Sequence, residues 1–152
     1  MTTRILFVCL GNICRSPAAE GIFRTLAPDV TCDSAGTGDW HIGKPPYDPM
    51  QQAALARGYD LSALRARQFH AGDFDAFDLI LAMDDANLRD IEALRPTGNE
   101  TPVRLFTDYY GDTTADHVPD PYFTRDFNAA LDLIEQAAQG LRNTLYAQTW
   151  RG

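Results

Sequence analysis

The stretch VCLGNICRSP, residues 8–17, carries two cysteines, a glycine, an arginine and a Ser-Pro pair. It follows Ile5-Leu6-Phe7-Val8, a run of strand-forming residues, and leads into SPAAEGIFRTLAP, residues 16–28, which reads as a helix. Ser16 is expected at the N-cap and Pro17 at the first helical position, where its missing N–H costs nothing. Ala18, Ile22 and Leu26, at four-residue spacing, give that helix one buried face. In open α/β sheets a loop of this kind, outside the carboxyl end of a strand, is where ligands gather. The backbone from Cys9 to Ser16 can curl its N–H groups into an anion-binding nest, with the positive end of the helix behind them. Arg15 adds a planar fork of donors suited to two phosphoryl oxygens. A cysteine at the mouth of that nest meets N–H dipoles and a guanidinium, and both favour its thiolate. A buried cysteine at a strand end is more often an apolar filler, and Cys-x5-Arg alone is a weak pattern. The full string between strand and helix is specific, and it makes Cys9 a candidate nucleophile.

The chain around this loop has an α/β pattern. Arg4–Cys9 and Val30–Ala35 read as strands flanking the first helix, a βαβ opening. A Gly- and Pro-rich loop, GTGDWHIGKPPYDP at residues 36–49, ends in Asp48-Pro49, a helix start. Leu79–Met83 is a third strand, followed by a helix capped by Asp84, running through Leu88, Ile91 and Leu94 and stopped by Pro96. Val103–Phe106 is a fourth, short strand. Phe127, Leu131, Ile134, Ala138, Leu141 and Leu145 alternate by three and four along a last helix, which contains Gly140. No repeat or linker divides the 152 residues, so residues 1–152 are expected to form one α/β domain with a parallel sheet.

Composition excludes some partners. A formal charge of -8 with no basic stripe argues against nucleic acid and anionic membrane. No apolar run reaches the length of a membrane span, and no signal peptide is expected before Arg4. Three cysteines without framework spacing point to a reducing compartment, the cytoplasm.

CLGNICRSP, residues 9–17, resembles the phosphate-binding loop of the low-molecular-weight protein tyrosine phosphatases. The resemblance continues through DSAGTGDWHIGKPP (33–46), ARQF (66–69), FDLILAMDDANLRDI (77–91) and VPDPYF (118–123). It implies a four-stranded parallel sheet with helices on both faces. It also implies hydrolysis of phosphotyrosine in protein substrates through a phosphocysteine intermediate, with no metal or other cofactor, by a monomer or weak dimer. Residue by residue, it makes Cys9 the nucleophile, Arg15 the phosphoryl clamp and Asp120 the general acid. Leu10, Gly11, Asn12, Ile13, Cys14 and Ser16 complete the loop, Asn12 shaping it and Ser16 hydrogen-bonding the Cys9 thiolate. Trp40 stands on one wall of the substrate cleft, and Tyr122 and Phe123 on the other. Asp84 is a candidate partner for the arginine. The acid has its own chemical logic: tyrosine phenolate, pKa about 10, leaves poorly unless protonated. One position departs from the family, which has a histidine supporting the loop asparagine where this chain has Leu64; another group is expected to hold Asn12.

Other features carry less. GDWHIGK, residues 38–44, imitates a nucleotide-binding loop, but Pro45-Pro46 offers no N–H donors where phosphates need them. His41, His70 and His117 lack metal-ligand spacing and are read as solvated; Cys32 is read as core. Arsenate reductases share the fold and loop but need later cysteines as a relay, and none follows Cys32. A phosphoarginine-specific branch carries threonine where this loop has Ile13, so isoleucine points to phosphotyrosine. The second cysteine of the loop has a redox reading. An exposed thiolate oxidises readily, and Cys14, if close enough for a disulfide with Cys9, would stop that oxidation at a reversible step.

Overall fold

The strand-forming runs around Val8 and Leu81 are apolar at every position because both of their faces are covered, as parallel sheets require. In the computed structural model, which describes residues 3–110 and 116–151, Ile5, Phe7 and Cys9 point into one core cluster while Leu6 and Val8 point into another. The same split separates Leu79, Leu81 and Met83 from Ile80 and Ala82. The strands are β1 (Arg4–Cys9), β2 (Thr31–Gly36), β3 (Leu79–Ala82) and β4 (Val103–Leu105). They pair in parallel in the order β2-β1-β3-β4.

The larger cluster is closed by α1 (Arg15–Leu26), α2 (Asp48–Leu55) and α6 (Phe127–Arg151). The smaller lies under α3 (Asp73–Ala76) and α4 (Asp85–Glu92). Phe7 is wholly buried and meets Phe23 and Phe106 edge-on at 5.8 and 5.1 Å; burial of each such ring contributes about 1.5–3 kcal/mol. The expected face of α6 is the one packed, with Leu131, Ile134, Ala138 and Leu141 fully buried. Gly140 belongs there for a steric reason: a Cβ would lie 1.8 Å from the carbonyl oxygen of Tyr109. Tyr109 ends a 3-10 turn, Phe106–Tyr109, that begins where β4 was expected to continue.

Strand β2 lies one residue later than the expected Val30–Ala35, β3 ends one residue before the expected Met83, and two helix boundaries move as well. Helix α4 ends at Glu92, so Leu94 lies beyond it and is 48 % exposed instead of joining the buried face. Helix α1 starts at Arg15 with Cys14 at its N-cap position, and the expected cap Ser16 lies inside it. The Ser16 hydroxyl is occupied elsewhere, by Cys9 Sγ and the Asn12 side-chain amide.

The order β2-β1-β3-β4 places the switch in strand order at β1 and β3, and the crevice of such a sheet opens at their carboxyl ends. Cys9 ends β1, and Asp84 follows β3 after one residue, Met83. Both face this crevice across the sheet's switch point.

Candidate active site

Residues 10–14 turn back over Cys9. Asn12 has φ of 56°, left-handed backbone that costs a residue with a Cβ free energy and is better tolerated by asparagine than by most. That turn aims the Asn12 N–H at Cys9 Sγ, 3.3 Å away. Ser16 Oγ stands 3.0 Å from the same sulfur. Strand β2 presses on the loop from beside it, and only a glycine fits: a Cβ on Gly36 would lie 2.8 Å from the Leu10 carbonyl oxygen.

The Asn12 side chain holds this shape through three hydrogen bonds. Its Nδ2 donates to Ser16 Oγ at 2.8 Å and to Ser34 Oγ at 3.0 Å, and its Oδ1 accepts from the Arg67 backbone N–H at 2.9 Å. Leu64, at the position of the family's histidine, packs against the core instead. The group that holds Asn12 is therefore distributed over Ser34, Ser16 and the Arg67 backbone. Ser34 in turn donates to Glu20 Oε1 at 2.7 Å, which leaves its lone pairs facing Asn12 and fixes which way the amide points. Glu20 is buried, and burial raises its pKa despite hydrogen bonds from Ser34 and Arg24. Arg67 is anchored by Asp73, which accepts from both of its terminal nitrogens at 3.1 Å, and by Asp33.

Arg15 crosses the crevice almost fully buried. Its Nη1 donates to Asp84 Oδ2 at 2.7 Å and to the Val118 carbonyl at 3.0 Å, and its Nη2 faces Asp120 Oδ2 at 3.4 Å. Burial works against its charge, but Cys9, Asp84 and Asp120 together outweigh it and hold its pKa above the ordinary arginine value. Asp120 caps the short helix α5 (Pro121–Thr124), accepting from the Tyr122 N–H at 3.1 Å. Asp84 is N-cap of α4, through Asn87, as well as partner of Arg15.

These residues enclose a cleft of about 250 Å³ lined by Cys9, Leu10, Gly11, Ile13, Cys14 and Arg15 below and by Trp40, His41, Asp120, Tyr122 and Phe123 around it. Trp40 and Phe123 are 64 % and 72 % exposed, so neither is core packing. His41, read from sequence as solvated, is instead part of the wall, beside Trp40 and against Gly11. His70 and His117 are exposed beside Asp73 and Asp116, and Cys32 is buried as expected. Among the described residues no group of three or more His, Cys, Asp or Glu side chains is placed to hold a metal ion.

Sequence reasoning missed Glu20, Tyr47 and Arg125. Glu20 had a signal, a carboxylate among Ala18, Ala19, Ile22 and Phe23, all of which are buried. Tyr47 donates its backbone N–H to the Ile13 carbonyl at 2.7 Å and sets its ring 5.3 Å from that of Tyr122; nothing local announces this. Cys14 is buried beside Cys9, and burial first, then the charge of Cys9, pushes its thiol pKa far up.

The comparisons with known proteins agree with this geometry. The family model described as low molecular weight phosphotyrosine protein phosphatase matches residues 4–150. The low molecular weight protein-tyrosine-phosphatase YfkJ of Bacillus subtilis is 41 % identical over 143 residues, covering 90 % of this chain and 92 % of that protein. A protein of the same description from Streptomyces coelicolor is 44 % identical over 156 residues, covering 93 % and 92 %. The crystal structure of YfkJ superposes with a TM-score of 0.91 at 37 % identity over 97 % of each chain. With the match running through nearly all of both partners and the loop, arginine and aspartate in place, the chain belongs to the low molecular weight protein tyrosine phosphatase family.

Proposed function

We propose that the chain hydrolyses phosphotyrosine in protein substrates, with Cys9, Arg15 and Asp120 as its catalytic residues. The observation that carries the reading is the floor of the cleft. There Cys9 Sγ, held by the Asn12 N–H and the Ser16 hydroxyl, lies among Arg15, Asp120 and aromatic walls that suit a phenyl ring. The phosphoryl dianion occupies the loop and draws Arg15 Nη2 from its 3.4 Å contact with Asp120, freeing that carboxyl to face the leaving oxygen. The Cys9 thiolate attacks phosphorus, the S–P bond forms and the P–O bond to the phenol breaks. Asp120 gives its proton to the departing oxygen. Its carboxylate then takes a proton from water as that water attacks phosphorus, and the S–P electrons return to Cys9 with release of inorganic phosphate.

Asp120→Asn tests the acid. The variant is expected to lose about 10²–10⁴-fold on phenols of ordinary acidity and much less on acidic phenols, whose anions leave unaided. Hydrolysis of a series of aryl phosphates, with phosphoserine, phosphoarginine and arsenate as comparisons, provides the measurement. Equal losses across the series would remove Asp120 from this role.

The loop's second cysteine has a redox role in this reading. Peroxide converts the Cys9 thiolate to a sulfenic acid with loss of hydroxide. The Cys14 thiolate then attacks that sulfur, forming the S–S bond and breaking the S–O bond with loss of hydroxide. Burial disfavours the Cys14 thiolate, but the second cause, the Cys9 charge, disappears once Cys9 is oxidised. Peroxide followed by a thiol reductant should restore the wild type and leave Cys14→Ser permanently inactive. Equal recovery of both would make Cys14 a space-filler. Three unpaired cysteines support a cytoplasmic setting, where thiols stay reduced. Among the described residues no helix is long and apolar enough to cross a membrane, and a monomer or weak dimer suffices for a site built from one chain.

A further inference from the structure

Among the described residues, two that are not glycine have left-handed backbone, Asn12 at φ 56° and Arg125 at φ 61°. One lies in the loop that follows Cys9, and the other ends the segment that carries Asp120. Asparagine tolerates this conformation; arginine has no such affinity for it, and a strained residue persists only where its surroundings hold it. The surroundings of Arg125 are specific. Its backbone N–H caps α5 by donating to the Pro121 carbonyl at 2.8 Å. Its guanidinium carbon lies 5.3 Å from the ring centre of Tyr47 and 5.6 Å from that of Phe127, an arrangement in which a cation meets two ring faces. Nη2 donates to the Tyr47 hydroxyl at 3.0 Å, and Nη1 donates back to the Tyr122 carbonyl at 3.2 Å.

Tyr47 is not part of the Asp120 segment. Its backbone N–H holds the Ile13 carbonyl of the phosphate loop, and its ring also meets that of Tyr122. The contacts form one continuous path: Asp120 at the N-cap of α5 and Tyr122 within it, then Arg125, then Tyr47, then Ile13 of the loop that follows Cys9. On its other side the Asp120 segment is tied to the sheet, by the Val118 N–H on the Met83 carbonyl at 2.8 Å.

We propose that Arg125 is a positioning residue: it latches the Asp120 segment to the phosphate loop through Tyr47, and so sets the reach of Asp120 to the leaving-group oxygen. This rests on the reading of Asp120 as the proton donor. A side chain that merely sealed the end of α5 would affect stability alone. A latch affects proton delivery, whose value depends on how badly the leaving group needs the proton.

Arg125→Gly separates the two, because glycine accepts φ 61° without strain while removing every side-chain contact. Its melting temperature should stay close to that of the wild type, with relief of strain at φ 61° offsetting the lost contacts. Its kcat/KM should fall about tenfold on aryl phosphates with poorly acidic phenols and stay near wild type on strongly acidic ones. Tyr47→Phe, which keeps the ring and loses only the hydroxyl, should steepen the leaving-group dependence in the same direction by a smaller factor. Arg125→Lys should recover part of the loss. In an Asp120→Asn background, Arg125→Gly should add nothing. An unchanged leaving-group slope in Arg125→Gly, with Asp120→Asn steepening it, would overturn the latch and leave the acid assignment standing. An unchanged slope in Asp120→Asn itself would overturn both.

Discussion

Cys9→Ser is expected to fold as the wild type does and to turn over no aryl phosphate. The sulfur is buried at the end of β1 and takes two contacts, from the Asn12 N–H at 3.3 Å and from Ser16 Oγ at 3.0 Å. A serine hydroxyl accepts from the Asn12 N–H and can share a hydrogen bond with Ser16 Oγ in either direction, so the left-handed turn at Asn12 and its bonds to Ser34 and Arg67 survive. What does not survive is the nucleophile. An alkyl hydroxyl in the same place does not ionise near neutral pH and is a weak nucleophile. No histidine or carboxylate among the described hydrogen bonds reaches this side chain to act as its base. The rate should fall by about 10⁴-fold or more. Melting temperature and near-ultraviolet circular dichroism should stay close to wild type, and inorganic phosphate, held by Arg15 and the loop, should still bind. Turnover within a hundredfold of wild type would place the nucleophile elsewhere.

The parts of this site that were legible in sequence are those fixed by local chemistry. Ile5-Leu6-Phe7-Val8 and Leu79-Ile80-Leu81-Ala82 declare buried parallel strands because each face of the sheet needs its own apolar residues. The order Cys9 to Ser16 declares a tight loop between strand and helix because the two are contiguous with it. Asp84 declares a cap, and Asn87 is the residue it caps. The parts that stayed hidden are settled between distant segments. Ser16 looks like an N-cap until the sulfur of Cys9 and the amide of Asn12 claim its hydroxyl, which lets α1 begin at Arg15. Leu64 shows only that a histidine is missing; that Ser34 and the Arg67 backbone share its work depends on β2 and residues 66–69 lying side by side. His41 belongs to the wall because Gly36 lets the loop after β2 close over the phosphate loop. Arg125 gives no sign at all, since a left-handed arginine is disfavoured by every local preference and is held by Tyr47, 78 residues away.

Arg15→Lys is expected to be severe, though less so than loss of the nucleophile, for a reason the family resemblance alone does not supply. The guanidinium is committed in three directions before any substrate arrives: to Asp84, to the Val118 carbonyl and, more loosely, to Asp120. Its planar fork can keep Asp84 and Val118 on Nη1 while Nη2 and Nε turn to two phosphoryl oxygens. An ammonium is a single point of charge with three tetrahedral donors and cannot span that geometry. A lysine that stays with Asp84 abandons the phosphoryl group, and one that reaches the phosphoryl group leaves a partly buried carboxylate unpaired. The kcat/KM for aryl phosphates should fall by about 10²–10³-fold, the cost of losing a preorganised donor to transition-state charge. Inhibition by inorganic phosphate should weaken with it, which a loss confined to chemistry would not produce. Stability should fall by about 1–3 kcal/mol from the partners left short at Asp84 and Val118. Asp84→Asn supplies the comparison, since it removes the charge that orients the fork and leaves the fork itself. Its kcat/KM should lie between wild type and Arg15→Lys. A lysine variant within tenfold of wild type in kcat/KM and in phosphate affinity would mean that the backbone nest alone holds the phosphoryl group.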